Sequence, residues 1–555
     1  VLGKVSIALL IGGVTIFGWR RLLSYLRYFQ QEEYNETRFR AWLEEKGAGD
    51  TRGTAITITS ALCASLLATQ AWTFVITLVT VSALLFTVFW VEEDPRTSGK
   101  LPLKMTKRAS KIVWCAFALF GLFNAILLYF SWISLPGCCA SQCITITPWY
   151  AFTLTALFSS LLIRVVPEYL IIANKALAPA EHRLQQHYIS DAKRILRDVN
   201  PYVIGITGSY GKTGAKTALG ELLPQCVGPT FWPKKSINTV MGITRDIRER
   251  LKPHHAYAVI EMGAYGIGSI TKLCALTPPK AAIVTAVGIM HLERFGSEEN
   301  VYLAKSEIAQ AIADDGVLVC NGDNPGARRM AQQHTKATTL LYGLDPSCGH
   351  LDCYATDIKF TTEGSVFTLH WKGRDLPART LLLGKPALSN ALAAFTMACA
   401  LGADPSYAAA CLANLQPVDN RLVLDRNGPV SFLRDAYNSN PTGFAAALEL
   451  LGTITAKRRI LITPGMIELG TKQYEENRRL AAIAARVADL VIVVSPVNRT
   501  AIVEGLRDGR LPAEKQVVVD TRQEAFQYLN KVQTAGDLVL IENDLGDLLE
   551  GRISF

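Results

Sequence analysis

A helical membrane half followed by an α/β enzyme half is the fold class that this 555-residue chain predicts. Three observations predict it. Five long apolar runs crowd into residues 1–172. A β-branched strand then leads through a glycine turn and a Lys-Thr pair into a helix, starting at Tyr202. From there strands alternate with helices nearly to the C-terminus, the pattern of doubly wound, Rossmann-like sheets. An apolar content of 49% beside 19% charged residues suits the combination, and the length allows several domains.

The apolar runs are Val5–Trp19, Thr54–Gln70, Ala71–Val91, Ile112–Leu135 and Thr147–Ile163. The last four approach the roughly 20 residues that a spanning helix needs. The first is short, so an anchor or an interfacial helix stays open for it; a removable signal peptide does not fit, because basic residues and four more runs follow. Arg20, Arg21, Arg27, Arg38, Arg40, Lys46 and Arg52 lie between the first two runs, and Arg96 to Lys111 between the third and fourth. The other connections, around Gln70 and over 136–146, carry no Lys or Arg. The positive-inside rule therefore predicts five spans, basic loops inside, and everything after Arg164 on the cytoplasmic side of the cell (inner) membrane. The net charge of +9 is thus uneven, and no nucleic-acid partner is expected. The stretch 20–53 interleaves Arg with Leu, Tyr and Phe, so it serves either topology or contact with membrane lipid, such as an anionic headgroup. Cys138, Cys139 and Cys143 fall in the predicted outer loop, where a disulfide is compatible with an oxidising compartment. No C-x-x-C pair suggests zinc among the 12 cysteines. Apolar residues at helical spacing over 180–200 predict an amphipathic helix, placed in a linker spanning 173–200.

Tyr202-Val-Ile-Gly-Ile-Thr-Gly-Ser-Tyr-Gly-Lys-Thr213 reads as strand, phosphate loop and helix start. Backbone N–H groups from Thr207 through Gly208, Ser209 and Gly211 are placed to meet phosphate oxygens. Lys212 is expected to reach the β/γ-phosphates of ATP, and the Thr213 hydroxyl to hold Mg²⁺. The next strand delivers Glu261 at its C-terminal end, a position for a Mg²⁺ ligand.

The form Gly-Ile-Thr-Gly-Ser-x-Gly-Lys-Thr, with Gly205 one residue before the usual first glycine position, resembles the Mur ligases. The likeness continues in Lys235–Thr244, in His291-Leu-Glu-Arg-Phe-Gly-Ser297 and in Asn321-Gly-Asp-Asn324. It ends in Leu415–Arg421, Asp435-Ala-Tyr-Asn-Ser-Asn-Pro441 and Arg459–Gly470. Asp-x-Tyr-Asn-x-Asn-Pro is close to the MurF branch. The resemblance covers about residues 200–555 and implies a central ATP-binding domain over 201–422 and a C-terminal domain over 423–555. It implies that His291 and Lys305 are metal ligands, Lys305 as a carbamylated lysine at a second Mg²⁺. It also implies that Asn390, Arg421 and Asp435 hold the nucleotide, and that Asn438 and Asn440 position the acyl phosphate or the amine. Pro386 and Ala387 replace a His-Asn pair usual in the family. No domain of the kind that holds the UDP part of the soluble members' substrate is legible in 1–199.

The expected activity is ATP-dependent, ADP-forming amide ligation by way of an acyl phosphate. The acid is a cell-wall or lipid-linked precursor and the amine an amino acid or dipeptide. Catalysis would rest on Lys212, Lys305, His291 and Asn438. The alternatives are a poly-γ-glutamate-type polymer ligase, a membrane transport or sensor protein with a nucleotide-binding domain, and a non-catalytic scaffold.

Overall fold

The computed structural model describes residues 2–67, 69–97, 101–133, 148–288, 292–334, 337–361, 363–426, 428–437 and 439–544. The cysteines of the predicted outer loop, His291 and Asn438 lie outside them. The chain divides into two compact units, residues 1–183 with 546–555, and residues 184–545.

The first unit is helical: α1 (Leu2–Gln31), α2 (Glu36–Glu45), α3 (Arg52–Leu67), α4 (Gln70–Phe86), α5 (Lys107–Ile133), α6 (Pro148–Arg164) and the start of α7 (Val166–Val199). A π-helical turn, Thr87–Val91, extends α4. Among the described residues three helices are long and apolar enough to cross a bilayer, Leu2–Gln31, Ala71–Val91 and Lys107–Ile133, and α6 with α7, bent by 55°, makes a fourth candidate. The first apolar run is therefore part of a 30-residue helix rather than a short anchor. At 16 residues α3 is the short one. Its Ser60 hydroxyl lies 2.6 Å from the Thr80 hydroxyl of α4. The amphipathic stretch of 180–200 is no separate element but the continuation of α7, 34 residues in all.

Most of the basic residues in the stretch 20–53 have partners within the unit. Arg21, 1% exposed, donates to Glu92 Oε2 and Oε1 at 2.7 and 2.6 Å and pairs with Asp50. Arg20 pairs with Asp94, Arg38 with Glu32 and Glu33, and Arg40 with Glu36 and Glu168. Arg27 donates to the Leu101 carbonyl.

The second unit opens with β1 (Tyr202–Thr207), α8 (Lys212–Cys226), β2 (Thr230–Phe231), α9 (Val240–Arg250), β3 (Tyr257–Glu261), α10 (Ser269–Leu276) and β4 (Ala281–Val284). It goes on through α11 (Leu292–Phe295), α12 (Glu298–Gln310), β5 (Val317–Asn321), α13 (Pro325–Gln333) and β6 (Thr338–Gly343). Then come β7 (Cys353–Thr361), β8 (Gly364–Trp371), β9 (Arg374–Thr380), α14 (Lys385–Ala400) and α15 (Pro405–Cys411). These strands form one sheet in the order β2-β3-β1-β4-β5-β6-β7-β8-β9. It is parallel as far as β7, and β7–β9 add antiparallel at its edge. The hairpins legible in the sequence thus extend the nucleotide-domain sheet. β4 is a fully buried apolar run, and β3 is buried from Ala258 to Glu261, as parallel strands covered on both faces must be.

A second sheet, β10-β11-β15-β12-β13-β14, is built from β10 (Val423–Asp425), β11 (Ser431–Asp435), α16 (Pro441–Thr453), β12 (Arg458–Thr463), α17 (Gln473–Val487), β13 (Leu490–Val494), α18 (Arg499–Asp508), β14 (Gln516–Val519), α19 (Arg522–Val532) and β15 (Asp537–Glu542). All its pairings are parallel except β10–β11. Two apolar layers flank it, one under α16–α18 and one under α19, the small doubly wound domain that the strand–helix alternation predicts.

Candidate active site

Strand order fixes the site. β1 lies between β3 and β4, with Ile206 opposite Glu261, so the glycine turn leaves the middle of the sheet beside that carboxylate. Gly208 and Gly211 have φ of +154° and +83°. A Cβ on Gly208 would stand 2.0 Å from Thr285 Oγ1, and one on Gly211 would stand 2.9 Å from Asn390 Oδ1. Only glycine lets the loop lie this tightly. Ser209 N–H donates to the Ala286 carbonyl at 2.7 Å, and its hydroxyl donates to the Gly288 carbonyl at 3.0 Å. Thr285 donates to the Tyr210 carbonyl at 2.5 Å. The loop is therefore preorganised from behind by the end of β4. Thr207 is fully buried and donates to the Met262 carbonyl at 3.0 Å, so its hydroxyl joins two strand ends.

Lys212 begins α8 and donates to the Gly208 carbonyl at 2.7 Å. Desolvation holds its ammonium below the usual lysine range, against the attraction of Glu261, and Arg421 adds repulsion. Thr213 Oγ1 donates to Glu261 Oε2 at 3.0 Å. Glu261, 1% exposed, also accepts from Asn238 Nδ2 at 3.1 Å and pairs with Lys216 at 3.2 Å. A hydroxyl beside a carboxylate is a hard-oxygen pair suited to Mg²⁺. Among the described residues no three His, Cys, Asp or Glu side chains gather into a ligand group, so the ion would rely on phosphate oxygens and water as well. Lys305, on α12, is 3% exposed. Burial first, and Lys212's charge second, hold its amine well below the usual lysine range.

The second sheet supplies the facing wall. Arg421 Nη2 lies 3.5 Å from Thr213 Oγ1, and its guanidinium covers the Tyr437 ring at 4.5 Å. Asp435 ends β11 in register with Glu542, which ends the adjacent β15. Desolvation pushes the Asp435 carboxyl up to about 6, against the attraction of Arg421. Glu542 is 1% exposed, accepts from Thr463 at 3.0 Å and is bonded to Ser439. Burial, and less strongly Asp435, push it up to about 8, while the two hydroxyl bonds pull the other way. A cavity of about 880 Å³ lies between the sheets, and Gly211, Asn321, Asn390, Arg421, Asp435, Asn440 and Glu542 are among its lining residues. Asn390 packs its amide against Gly211 and Gly214, which places it at the phosphate loop. Asn440 caps α16, accepting from Gly443 N at 2.9 Å.

The cleft thus brings together Gly208, Ser209, Gly211, Lys212, Thr213, Glu261, Asn390, Arg421 and Asp435, with Lys305 near enough to feel the Lys212 charge. Glu542 and Lys216 were not singled out from the sequence. The signal for Glu542 is the one that marked Glu261: a lone acid closing a buried apolar strand.

A phosphate loop on a parallel sheet, faced by a smaller doubly wound domain, defines a nucleotide-dependent two-domain ligase fold. The model of the Mur ligase middle domain matches residues 206–398, and that of the Mur ligase glutamate ligase domain matches 420–542. The chain belongs to the Mur ligase family of ATP-dependent, ADP-forming ligases. Within it the chain is MurF-like. It is 33% identical over 279 residues to the UDP-N-acetylmuramoyl-tripeptide–D-alanyl-D-alanine ligase of Escherichia coli, an alignment covering 50% of this chain and 61% of that enzyme. With the enzyme of the same name from Mycobacterium bovis it shares 32% identity over 61% of this chain and 70% of the other. MurF from Acinetobacter baumannii superposes with a TM-score of 0.58 at 26% identity, covering 65% of this chain and 77% of that one.

Proposed function

We propose that this protein is a membrane-anchored MurF-type ligase that joins D-alanyl-D-alanine, or a closely related amine, to the carboxylate of a muramyl-peptide precursor. The observation that carries the reading is the approach of Arg421, from the segment before the second sheet, to Thr213 of the phosphate loop. Nucleotide phosphates bound there would meet both the phosphate loop and the segment that leads into the second sheet.

The chain's own groups divide the work. The Ser209 N–H is taken by the Ala286 carbonyl, so the N–H groups around Gly208, Gly211 and Lys212 donate to phosphate oxygens, and Lys212 turns its ammonium from the Gly208 carbonyl toward them. Mg²⁺, held through Thr213 and Glu261, would offset phosphate charge. The acid's carboxylate oxygen attacks the γ-phosphorus and the bond to ADP breaks. The amine nitrogen then attacks the acyl carbon, phosphate leaves, and the nitrogen gives up a proton. Arg421 and Lys212 stabilise the moving negative charge throughout. Burial holds the Lys305 amine well below the usual lysine range, which favours the neutral amine that reaction with CO₂ requires; carbamylation would make it an anionic ligand for a second metal, releasing one proton. His291 and Asn438 keep the roles that the family resemblance gives them.

The helical unit supports a membrane location, with the ligase unit cytoplasmic where ATP is. A lipid-linked acceptor would be concentrated beside the cleft by confinement to the membrane plane. Incubating the detergent-purified protein with ATP, UDP-N-acetylmuramoyl tripeptide or its lipid-linked form, and D-alanyl-D-alanine tests the proposal. Joined product with matching phosphate release supports it, the preferred acceptor identifies the acid, and phosphate release that needs neither substrate refutes it.

A further inference from the structure

Lys216 stands one helical turn after Lys212 on α8 and is fully buried. Its ammonium lies 3.2 Å from Glu261 Oε2, the oxygen that also accepts from Thr213. Asn238 occupies Oε1. The carboxylate proposed to hold the metal therefore already has three donors, one of them a lysine ammonium. Lys216 has a second anchor, the Lys235 carbonyl. Lys235 carries φ of +57°, a left-handed backbone that non-glycine residues seldom adopt, in the loop that also carries Ser236 and Asn238. Lys216 can thus release Glu261 without losing its other partner.

We infer that Lys216 is a resident counter-cation of Glu261 that keeps Mg²⁺ out of the site until nucleotide phosphates arrive with it. A divalent ion alone must displace a buried ammonium from its carboxylate. An ion bound to ATP brings phosphate oxygens and their negative charge, which offset the repulsion and draw Lys216 and Lys212 toward the nucleotide. Metal binding thereby becomes conditional on nucleotide. The inference rests on the ligase reading, because that reading gives Glu261 its metal.

The test titrates Mn²⁺, read by electron paramagnetic resonance, into the full-length protein without nucleotide. Calorimetry of ADP binding, with Mg²⁺ and with chelator, runs alongside. The wild type should bind Mn²⁺ weakly. Lys216→Met, which leaves Glu261 without its counter-charge, should bind it about tenfold more tightly, and Lys216→Arg, which keeps the charge, should behave as the wild type. Lys216→Gln keeps a donor for the Lys235 carbonyl while removing the charge, and should match the Met variant should that one fold poorly. Folding of each variant is checked by circular dichroism. If the wild type binds ADP better with Mg²⁺ and neither neutral variant binds Mn²⁺ more tightly, the inference is overturned and the ligase reading stands. If the wild type gains nothing from Mg²⁺ in binding ADP, both fall.

Discussion

Lys212 and Lys305 are the two residues whose loss should separate the parts of the chemistry. Lys212→Ala removes the cation that faces the transferred phosphoryl group, so product formation should fall by about 10²–10³-fold or more. Lys305→Ala should cripple the enzyme too, but a short carboxylic acid can stand in for a carbamate. Partial rescue by acetate of the Lys305 variant and not of the Lys212 variant is the expected outcome, read as product by chromatography. Wild-type rates in Lys305→Ala would remove the second-metal role. Glu542 gives a pH signature. Its carboxyl sits at about 8 in the folded protein against an ordinary 4.5, so the folded state binds more protons than the unfolded chain between those values. Stability then falls as pH rises from about 4.5 to 8, and Asp435 contributes with the same sign between 3.8 and about 6. Glu542→Gln removes the buried charge, keeps one acceptor for the two hydroxyls of Thr463 and Ser439, and offers its amide N–H to the other. It should raise the thermal midpoint at pH 8 by several degrees and change it little at pH 5; equal midpoints at pH 8 would contradict the assignment.

At the scale of elements, the strand ends were the most legible part of the sequence, because a parallel strand buried on both faces must read as an apolar run that stops where the cleft begins. Tyr257–Glu261 and Leu490–Val494 are examples. Glu542 was passed over although it ends such a run, since no motif surrounds it. Lys216 was invisible for another reason. A lysine on a helix normally faces water, and only the register of β1 against β3 brings Glu261 under it. The full length of α1 was hidden in the same way. Arg20, Arg21 and Arg27 ended the apolar run at Trp19, yet Arg21 is buried by acids 29 and 71 residues away in the chain. Pairing at that distance leaves no local pattern. One element carries its own prediction. Asn440 caps α16 at the cavity wall, and Asn440→Ala should cost about 1 kcal/mol of stability in denaturant titration, together with a raised KM for the amine. A loss of stability with unchanged KM would leave the residue a helix cap only.

For the whole molecule, the number of spans turns on the length of α3. At a rise of 1.5 Å per residue, α3 is roughly 24 Å long, shorter than the ~30 Å hydrocarbon core, while its partner α4 continues through the π-helical turn. The ligase unit must face ATP in either case. Cys348 is exposed in that unit, so an impermeant maleimide should label it in permeabilised cells and not in intact ones. The self-paired arginines of α1 and α2 shift the balance from headgroup recognition toward folding and topology for that stretch. Fusing residues 184–555 to an unrelated anchor should therefore restore much of the ligation, unless the helices themselves select the acceptor. The most direct test of the ligase assignment is phosphate release by the purified full-length protein, measured with ATP and Mg²⁺ while the acid and the amine are added separately and together. The account predicts release at the full rate only with both, in step with amide product, and its loss in Lys212→Ala. Release of equal rate without either substrate would contradict it.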